Sequence, residues 1–444
     1  MKKHRTLNML AIAALLVGAY ALADSPALPA KAGDGLVGAP GGKQAVAPPA
    51  PGRGAAIARG RYIAEAGDCV ACHTVPHSGQ PFAGGLALET PFGKLVASNI
   101  TQDVKTGIGG WTEEEFTRAV RLGKGKHGQY LYSAMPYPAY NKVTDADMHD
   151  LWLYMQTIKP VSRQVESNQL PFPFNIRTLM WGWNLLFFDK KPFQPDSTQS
   201  MEWNRGAYLV EGLAHCAACH TAKNVLGGDS SKKLQGGTLQ GWFAPEITGD
   251  KQHGLGAWSL DDTVTYLKTG ANGFTVASGP MAEAVENSTQ HMTTADLRAM
   301  AVYLKSLPGS QAARPAPVPA TDKQMLLGAK VYDINCAACH ASNGKGISSM
   351  VTALAGNGSI QAPVDSNLVN AILRGTRGAI THANPTGAAM PSFAWKLTDG
   401  QVAAVSTYIR NSWGNAASAT SEGSVAKARK QLALPAQTVF VAGK

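Results

Sequence analysis

Beyond its first two dozen residues the sequence has no apolar run long enough to cross a bilayer. It has no cysteine outside one repeated motif, so no lone thiol is left over. Nor does it have a basic run with interleaved aromatics, which argues against a nucleic-acid partner. Charged residues are only 16% against 44% hydrophobic ones, a foldable globular balance, while 47 Gly and 26 Pro divide the chain into short helices and much loop. At 444 residues the chain is too long for one ordinary core, and three domains of typical size fit it.

The one long apolar run, residues 7–19, follows Lys2, Lys3 and Arg5 and leads to Ala21-Leu22-Ala23. A basic start, a short apolar stretch and a small-x-small site read as a secretory signal over residues 1–23, cut before Asp24. A retained membrane anchor is the alternative, disfavoured by the shortness of the run. The mature chain is expected to work outside the cytoplasm. Ala/Pro/Gly-rich residues 24–54 read as a flexible leader, 309–322 as a linker, and the Ala/Ser-rich residues 414–444 as a flexible tail.

Between these segments one plan occurs three times. Each unit opens with a helical pattern leading to cysteine: Arg59-Gly60-Arg61-Tyr62-Ile63, Arg205-Gly206-Ala207-Tyr208-Leu209 and Leu327-Gly328-Ala329-Lys330-Val331-Tyr332. Each closes with a helix capped by Thr144-x-x-Asp147, Thr293-x-x-Asp296 or Thr398-x-x-Gln401, with Tyr154, Tyr303 or Tyr408 ten residues after the threonine. A glycine in the first helix lets the last approach closely, so the two are expected to cross. Units one and two also share residues 97–103 with 244–250, and 107–112 with 254–259. The third unit is shorter and lacks both stretches.

All six cysteines fall in Cys69-Val70-Ala71-Cys72-His73, Cys216-Ala217-Ala218-Cys219-His220 and Cys336-Ala337-Ala338-Cys339-His340. C-x-x-C-H is the attachment signature of c-type haem: two thiols one helical turn apart bond to two vinyl groups, and the adjacent imidazole reaches the iron. Disulfides or zinc sites are the competing readings, and neither explains a histidine after every second cysteine. Three haems c are therefore expected, and their propionates would cancel most of the +7 left when the formal charge of +10 loses Lys2, Lys3 and Arg5.

A sixth iron ligand must come from elsewhere in each unit. Met135, Met281 and Met390 lie 62, 61 and 50 residues after their histidines, each read as a loop residue beside proline and ahead of the closing helix. A thioether suits haem iron and raises its potential. For the second unit Met292 is an alternative, because there the Met–Pro order is reversed. With both axial positions filled, electron transfer is favoured over peroxidase or oxygenase chemistry. Asn99, Thr101, Thr248, Trp111, Trp258, Arg121 and Arg374 are candidate donors to haem propionates. The other histidines, His215 and His253 among them, show no metal-ligand spacing.

Between units one and two, Pro171-Phe172-Pro173-Phe174 leads to an aromatic stretch over residues 179–188. It is too short to span a membrane and too aromatic for a solvated linker. It reads either as interdomain packing or as a docking patch for a partner subunit or a lipid surface.

With its three C-x-x-C-H units, Arg205-Gly206-x-Tyr208-Leu209, Gly241-Trp242-Phe243-Ala244-Pro245 and Gly279-Pro280-Met281-Ala282-Glu283, the chain resembles the triheme cytochrome c subunit of bacterial membrane-bound dehydrogenases over residues 55–413. That family serves alcohol, aldehyde, gluconate, sorbitol and fructose dehydrogenases. The resemblance implies a mainly α fold of three tandem cytochrome c-like domains joined by linkers: residues 55–160, 201–308 and 323–413, with 161–200 an aromatic linker. It implies haem attachment at Cys69, Cys72, Cys216, Cys219, Cys336 and Cys339. It also implies proximal ligands His73, His220 and His340, and distal ligands Met135, Met281 and Met390. A separate catalytic subunit carrying flavin, pyrroloquinoline quinone or molybdenum would supply electrons destined for ubiquinone. The chain would then sit in the periplasm, peripherally bound to the outer face of the cytoplasmic membrane.

Overall fold

A computed structural model describes residues 52–76, 79–310 and 312–433. The expected signal and nearly all of the leader lie outside the described residues. The fold is mainly α, with three antiparallel two-stranded ribbons among the described residues, and no described helix is long and apolar enough to cross a membrane.

The opening helices are Arg53–Ala66, Met201–Tyr208 and Lys323–Asn335, the second running on through a π-turn, Leu209–Leu213. The closing helices are Asp145–Met155, Thr294–Ser306 and Asp399–Arg410. In each repeat these two helices cross where the glycine sits. A Cβ added at Gly60 would strike the Asp150 carbonyl and come within 2.8 Å of the Tyr154 Cβ. At Gly206 it would strike the Ala299 carbonyl and lie 2.8 Å from the Tyr303 Cβ; at Gly328 it would strike the Ala404 carbonyl and lie 2.6 Å from the Tyr408 Cβ. Only glycine lets the two backbones touch there.

The closing helices are capped as the sequence suggests: Thr144, Thr293 and Thr398 each accept a backbone N–H at N3. Only the Thr398–Gln401 box is reciprocal. In the other two the aspartate accepts from a tyrosine of the neighbouring repeat, and Asp296 also pairs with Arg205 of its own at 2.8 Å. Tyr62 Oη donates to Asp296 at 2.6 Å and accepts from Thr293 N at 3.1 Å. Tyr208 Oη mirrors this, donating to Asp147 and accepting from Thr144 N at 3.3 Å. The first two repeats thus meet through two equivalent contacts, as in an isologous dimer folded into one chain. The third repeat carries an exposed Lys330 at the position of those tyrosines, and Gln401 is left to close its own box.

This pairing alters the expected picture of domains on linkers. The described residues, from 52 to 433, belong to one compact unit. Ile63, Leu151 and Met155 of the first repeat share one apolar core with Leu209, Leu297 and Met300 of the second. The third repeat has its own core around Val331, Leu373, Val402 and Ile409. Both linkers are also packed against the repeats. In the first, Asn184 and Phe188 are buried; in the second, Val318 N donates to Asn411 at 3.0 Å.

Part of the segment expected to be a flexible tail, residues 414–444, is a packed helix instead. Ser421 caps a further helix, Glu422–Gln431, which packs on the closing helix of the third repeat. Val425 is fully buried, and Arg429 pairs with Asp399 at 2.8 Å while donating to the Ala394 and Leu397 carbonyls. The helix has two inward-facing residues on an otherwise polar sequence, too few to give a visible period. Residues 434–444 lie outside the described residues.

Candidate functional site

The three C-x-x-C-H motifs each form a single helical turn, Cys69–His73, Ala217–His220 and Ala337–His340. Asp68 (φ 52°) and His215 (φ 37°), just before the first two motifs, lie in the left-handed region and turn the chain sharply out of the opening helix. The turn puts both cysteines of a motif on one side with the histidine beside them.

Every motif histidine is held the same way. His73 Nδ1 donates to the Ser98 carbonyl at 2.7 Å, His220 Nδ1 to the Pro245 carbonyl at 2.6 Å, and His340 Nδ1 to the Thr352 carbonyl at 3.1 Å. A carbonyl only accepts, so Nδ1 carries the proton and Nε2 keeps its lone pair for a metal. Burial lowers the pKa of all three, which keeps them neutral and able to ligate.

None of the six cysteines is paired in a disulfide. Burial pushes Cys69 and Cys216 up to about 12, and Cys72 and Cys336 up to about 11. Among the described residues no cysteine belongs to a cluster of three or more metal-binding side chains.

Each candidate methionine packs against an apolar core that also receives a motif cysteine. Met135 and Met281 pack with Cys69 and Cys216 against the common core, and Met390 packs with Cys336 against the third. All three are half-buried. Two of their three local settings differ from the expected loops. Met135 is in a loop, Met281 in the first turn of the helix Pro280–Asn287, and Met390 on a short strand paired with Thr376. Met292 is fully buried in the core. Paired cysteines and an imidazole with a free Nε2 recur in each motif, a donor set that fits covalent attachment of haem c.

The propionate-donor candidates fare differently. Asn99 Nδ2 is spent on Thr106 Oγ1 and the Val161 carbonyl, at 3.0 and 2.8 Å. Its counterpart Glu246 accepts from Ser310 N and Oγ at 2.9 and 2.6 Å. Both therefore tie a loop to the chain just beyond the closing helix, and the exchange of Asn for Glu follows from what lies opposite, a carbonyl in one case and donors in the other. Arg121 pairs with Asp145, and Arg374 lies over the Trp242 ring.

Some contacts between repeats lie near the motifs. Tyr140 Oη donates to the Gly67 carbonyl at 2.6 Å, and its ring meets His215 edge-on at 5.5 Å, so the turns before the first two motifs touch. The helix Pro280–Asn287 packs on the first motif helix. It also reaches the third repeat, where Ile380 N donates to Glu286 at 2.6 Å and Met281 packs near Ala379. One helix of the second repeat therefore contacts both other repeats. The sequence carried a signal for the pairing in the shared Tyr62/Tyr208 and Asp147/Asp296 positions, but none for the bridging role of this helix.

A family model described as cytochrome c matches residues 57–159 and 325–413. The chain is 41% identical to the gluconate 2-dehydrogenase cytochrome c subunit of Pantoea cypripedii, over 82% of this chain and 87% of that protein. This chain belongs to the family of dehydrogenase cytochrome c subunits. It is also 38% identical to the fructose dehydrogenase cytochrome subunit of Gluconobacter japonicus, and 36% identical to the cytochrome c subunit of the quinone alcohol dehydrogenase of Gluconobacter oxydans. Both alignments cover 86% of this chain and 84% of the relative. As a member of this family it is an electron-transfer protein with covalently bound haem c. Its middle repeat lies between the two regions matched by the family model, yet carries the same motif, the same helix crossing and the same anchored histidine.

Proposed function

We propose that the chain carries electrons through three covalently bound c-type haems, from a catalytic dehydrogenase subunit to ubiquinone at the periplasmic face of the cytoplasmic membrane. The observation that carries this reading is the threefold recurrence of a C-x-x-C-H turn whose histidine is fixed through Nδ1 to a backbone carbonyl. Cys69 and Cys72, Cys216 and Cys219, and Cys336 and Cys339 hold the three groups. His73, His220 and His340 are the proximal ligands, and Met135, Met281 and Met390 the distal ones. The bound groups supply reversible one-electron chemistry; the protein contributes position, apolar surroundings and thioether ligation, which raise the potential.

The helix Pro280–Asn287 gives the relay its order. It borders the first motif and the segment leading to Met390, so the second site is the middle one. The catalytic partner carries flavin, pyrroloquinoline quinone or molybdenum, and the donor it oxidises is bound on that other chain. Mass spectrometry of the mature protein should show a start at Asp24 and three covalent haems. The chain alone should oxidise no sugar or alcohol, and with its catalytic subunit it should reduce a ubiquinone analogue. One or two haems, or substrate oxidation by the isolated chain, would refute the proposal.

A further inference from the structure

The aromatic segment between the first two repeats folds with its polarity reversed for a water-facing surface. Its helix, Leu179–Phe187, has one polar side chain, Asn184, which is 8% exposed and accepts from Tyr137 Oη at 2.6 Å. Its leucines face out: Leu185 is 73% and Leu186 68% exposed. Trp183 turns inward, donating Nε1 to the Leu226 carbonyl at 2.9 Å, while Trp181 and Leu179 stay exposed, as do Phe172 and Ile176 in the turn before the helix. Part of the segment is thus packing and part is an open apolar face too contiguous to leave in water without a partner.

Charge indicates which partner. Exposed cations flank the apolar face at both ends, Arg177 before the helix and Lys190 and Lys191 after it, and Asp189 is the single acid between residues 171 and 191. A nine-residue helix is about 14 Å long, far short of the ~30 Å hydrocarbon core. Exposed leucines, an exposed indole and flanking cations on such a helix are the features of a segment lying in the plane of a bilayer, its apolar side among acyl chains and its cations among anionic headgroups.

We propose that residues 172–191 form a lipid foot that seats this face of the protein on an anionic bilayer surface. This inference rests on the proposed membrane-side function and adds the surface that makes the contact. The foot is tied to the loop of Met135: Tyr132 Oη donates to the Phe174 carbonyl at 2.9 Å, Arg177 donates to the Tyr130 carbonyl at 3.0 Å, and Tyr137 packs edge-on against Phe188 at 5.2 Å. The foot therefore rests on the loop of Met135 in the first repeat and, through Trp183, on the second repeat.

The test is co-sedimentation of the haem-loaded mature chain with vesicles of phosphatidylethanolamine and phosphatidylglycerol, compared with phosphatidylcholine alone. L185N/L186N should lower partitioning about a hundredfold while leaving the haem spectrum intact, because both side chains are exposed. K190Q/K191Q should lower it about thirtyfold on the anionic vesicles and leave the neutral ones unchanged. Wild-type partitioning by L185N/L186N overturns the foot. So does a variant that keeps its vesicle binding but loses its catalytic subunit, which would make the face a protein-docking surface. A wild-type chain that binds vesicles through this face yet accepts no electrons from a catalytic subunit supports the foot and brings down the proposed function instead.

Discussion

Replacing Gly60 by alanine should destabilise the protein, while the same substitution at Gly54, six residues earlier in the same helix, should stabilise it slightly. Intrinsic propensity favours alanine at both positions, by up to about 1 kcal/mol in a helix interior and less near an end. The tertiary setting separates them. A Cβ at Gly54 meets nothing within 4 Å. At Gly60 it would run into the Asp150 carbonyl, with the Tyr154 Cβ at 2.8 Å, and the carbonyl, being backbone, cannot rotate away. Relief requires the opening and closing helices to separate. That would stretch the paired hydrogen bonds of Arg59 to Asp150 at 2.6 and 3.1 Å, and loosen the core around Ile63 and Leu151. Overpacking of this kind costs about 1–3 kcal/mol, more where backbone is the obstacle, so G60A should lose a net ~2 kcal/mol or more. G54A should gain a few tenths. Denaturant unfolding followed by the haem absorption would read both, with G206A and G328A expected to behave like G60A. Equal stabilities for G54A and G60A would refute the claim that glycine is there for the crossing.

Two further substitutions test the site. Met281→Ala should remove about a third of the near-infrared sulfur-to-iron band of the oxidised protein and open that iron to carbon monoxide. Met292→Ala should leave the band intact while costing about 2–5 kcal/mol of stability, because Met292 is fully buried; the opposite pattern would reassign the ligand. Asp68, pushed up to about 8 chiefly by burial and then by Glu283, favours the folded state most when neutral. Its stabilising contribution is complete below the unfolded carboxylate value near ~4 and is lost as pH rises through about 8. Asp68→Asn should therefore match wild type in acid and exceed it by up to about 5 kcal/mol at pH 8.5, read as unfolding midpoint against pH. A gap that does not change with pH would show that the carboxyl is already ionised in the folded chain.

Local chemistry was legible in the sequence wherever it depends on a fixed short spacing. The three C-x-x-C-H turns, the threonine caps and the glycine–tyrosine pairs of the crossing helices follow from one helical period, and the structure places them as that period requires. The signal for the pairing of the first two repeats was also present, as a tyrosine two residues past the glycine and an aspartate in the cap. It could not be read as a contact, because the contact joins residues 234 apart. Tertiary structure alone decided three matters: that two repeats share one core while the third keeps its own, that Asn99 and Glu246 are occupied in holding loops, and that the helix of Met281 touches all three repeats. The tail helix was hidden for the same reason, since Val425 and Arg429 acquire partners only once the third repeat has folded beneath them. Covalent motifs and helix caps are encoded within a turn or two of chain, whereas the burial of a side chain depends on what distant sequence is folded against it.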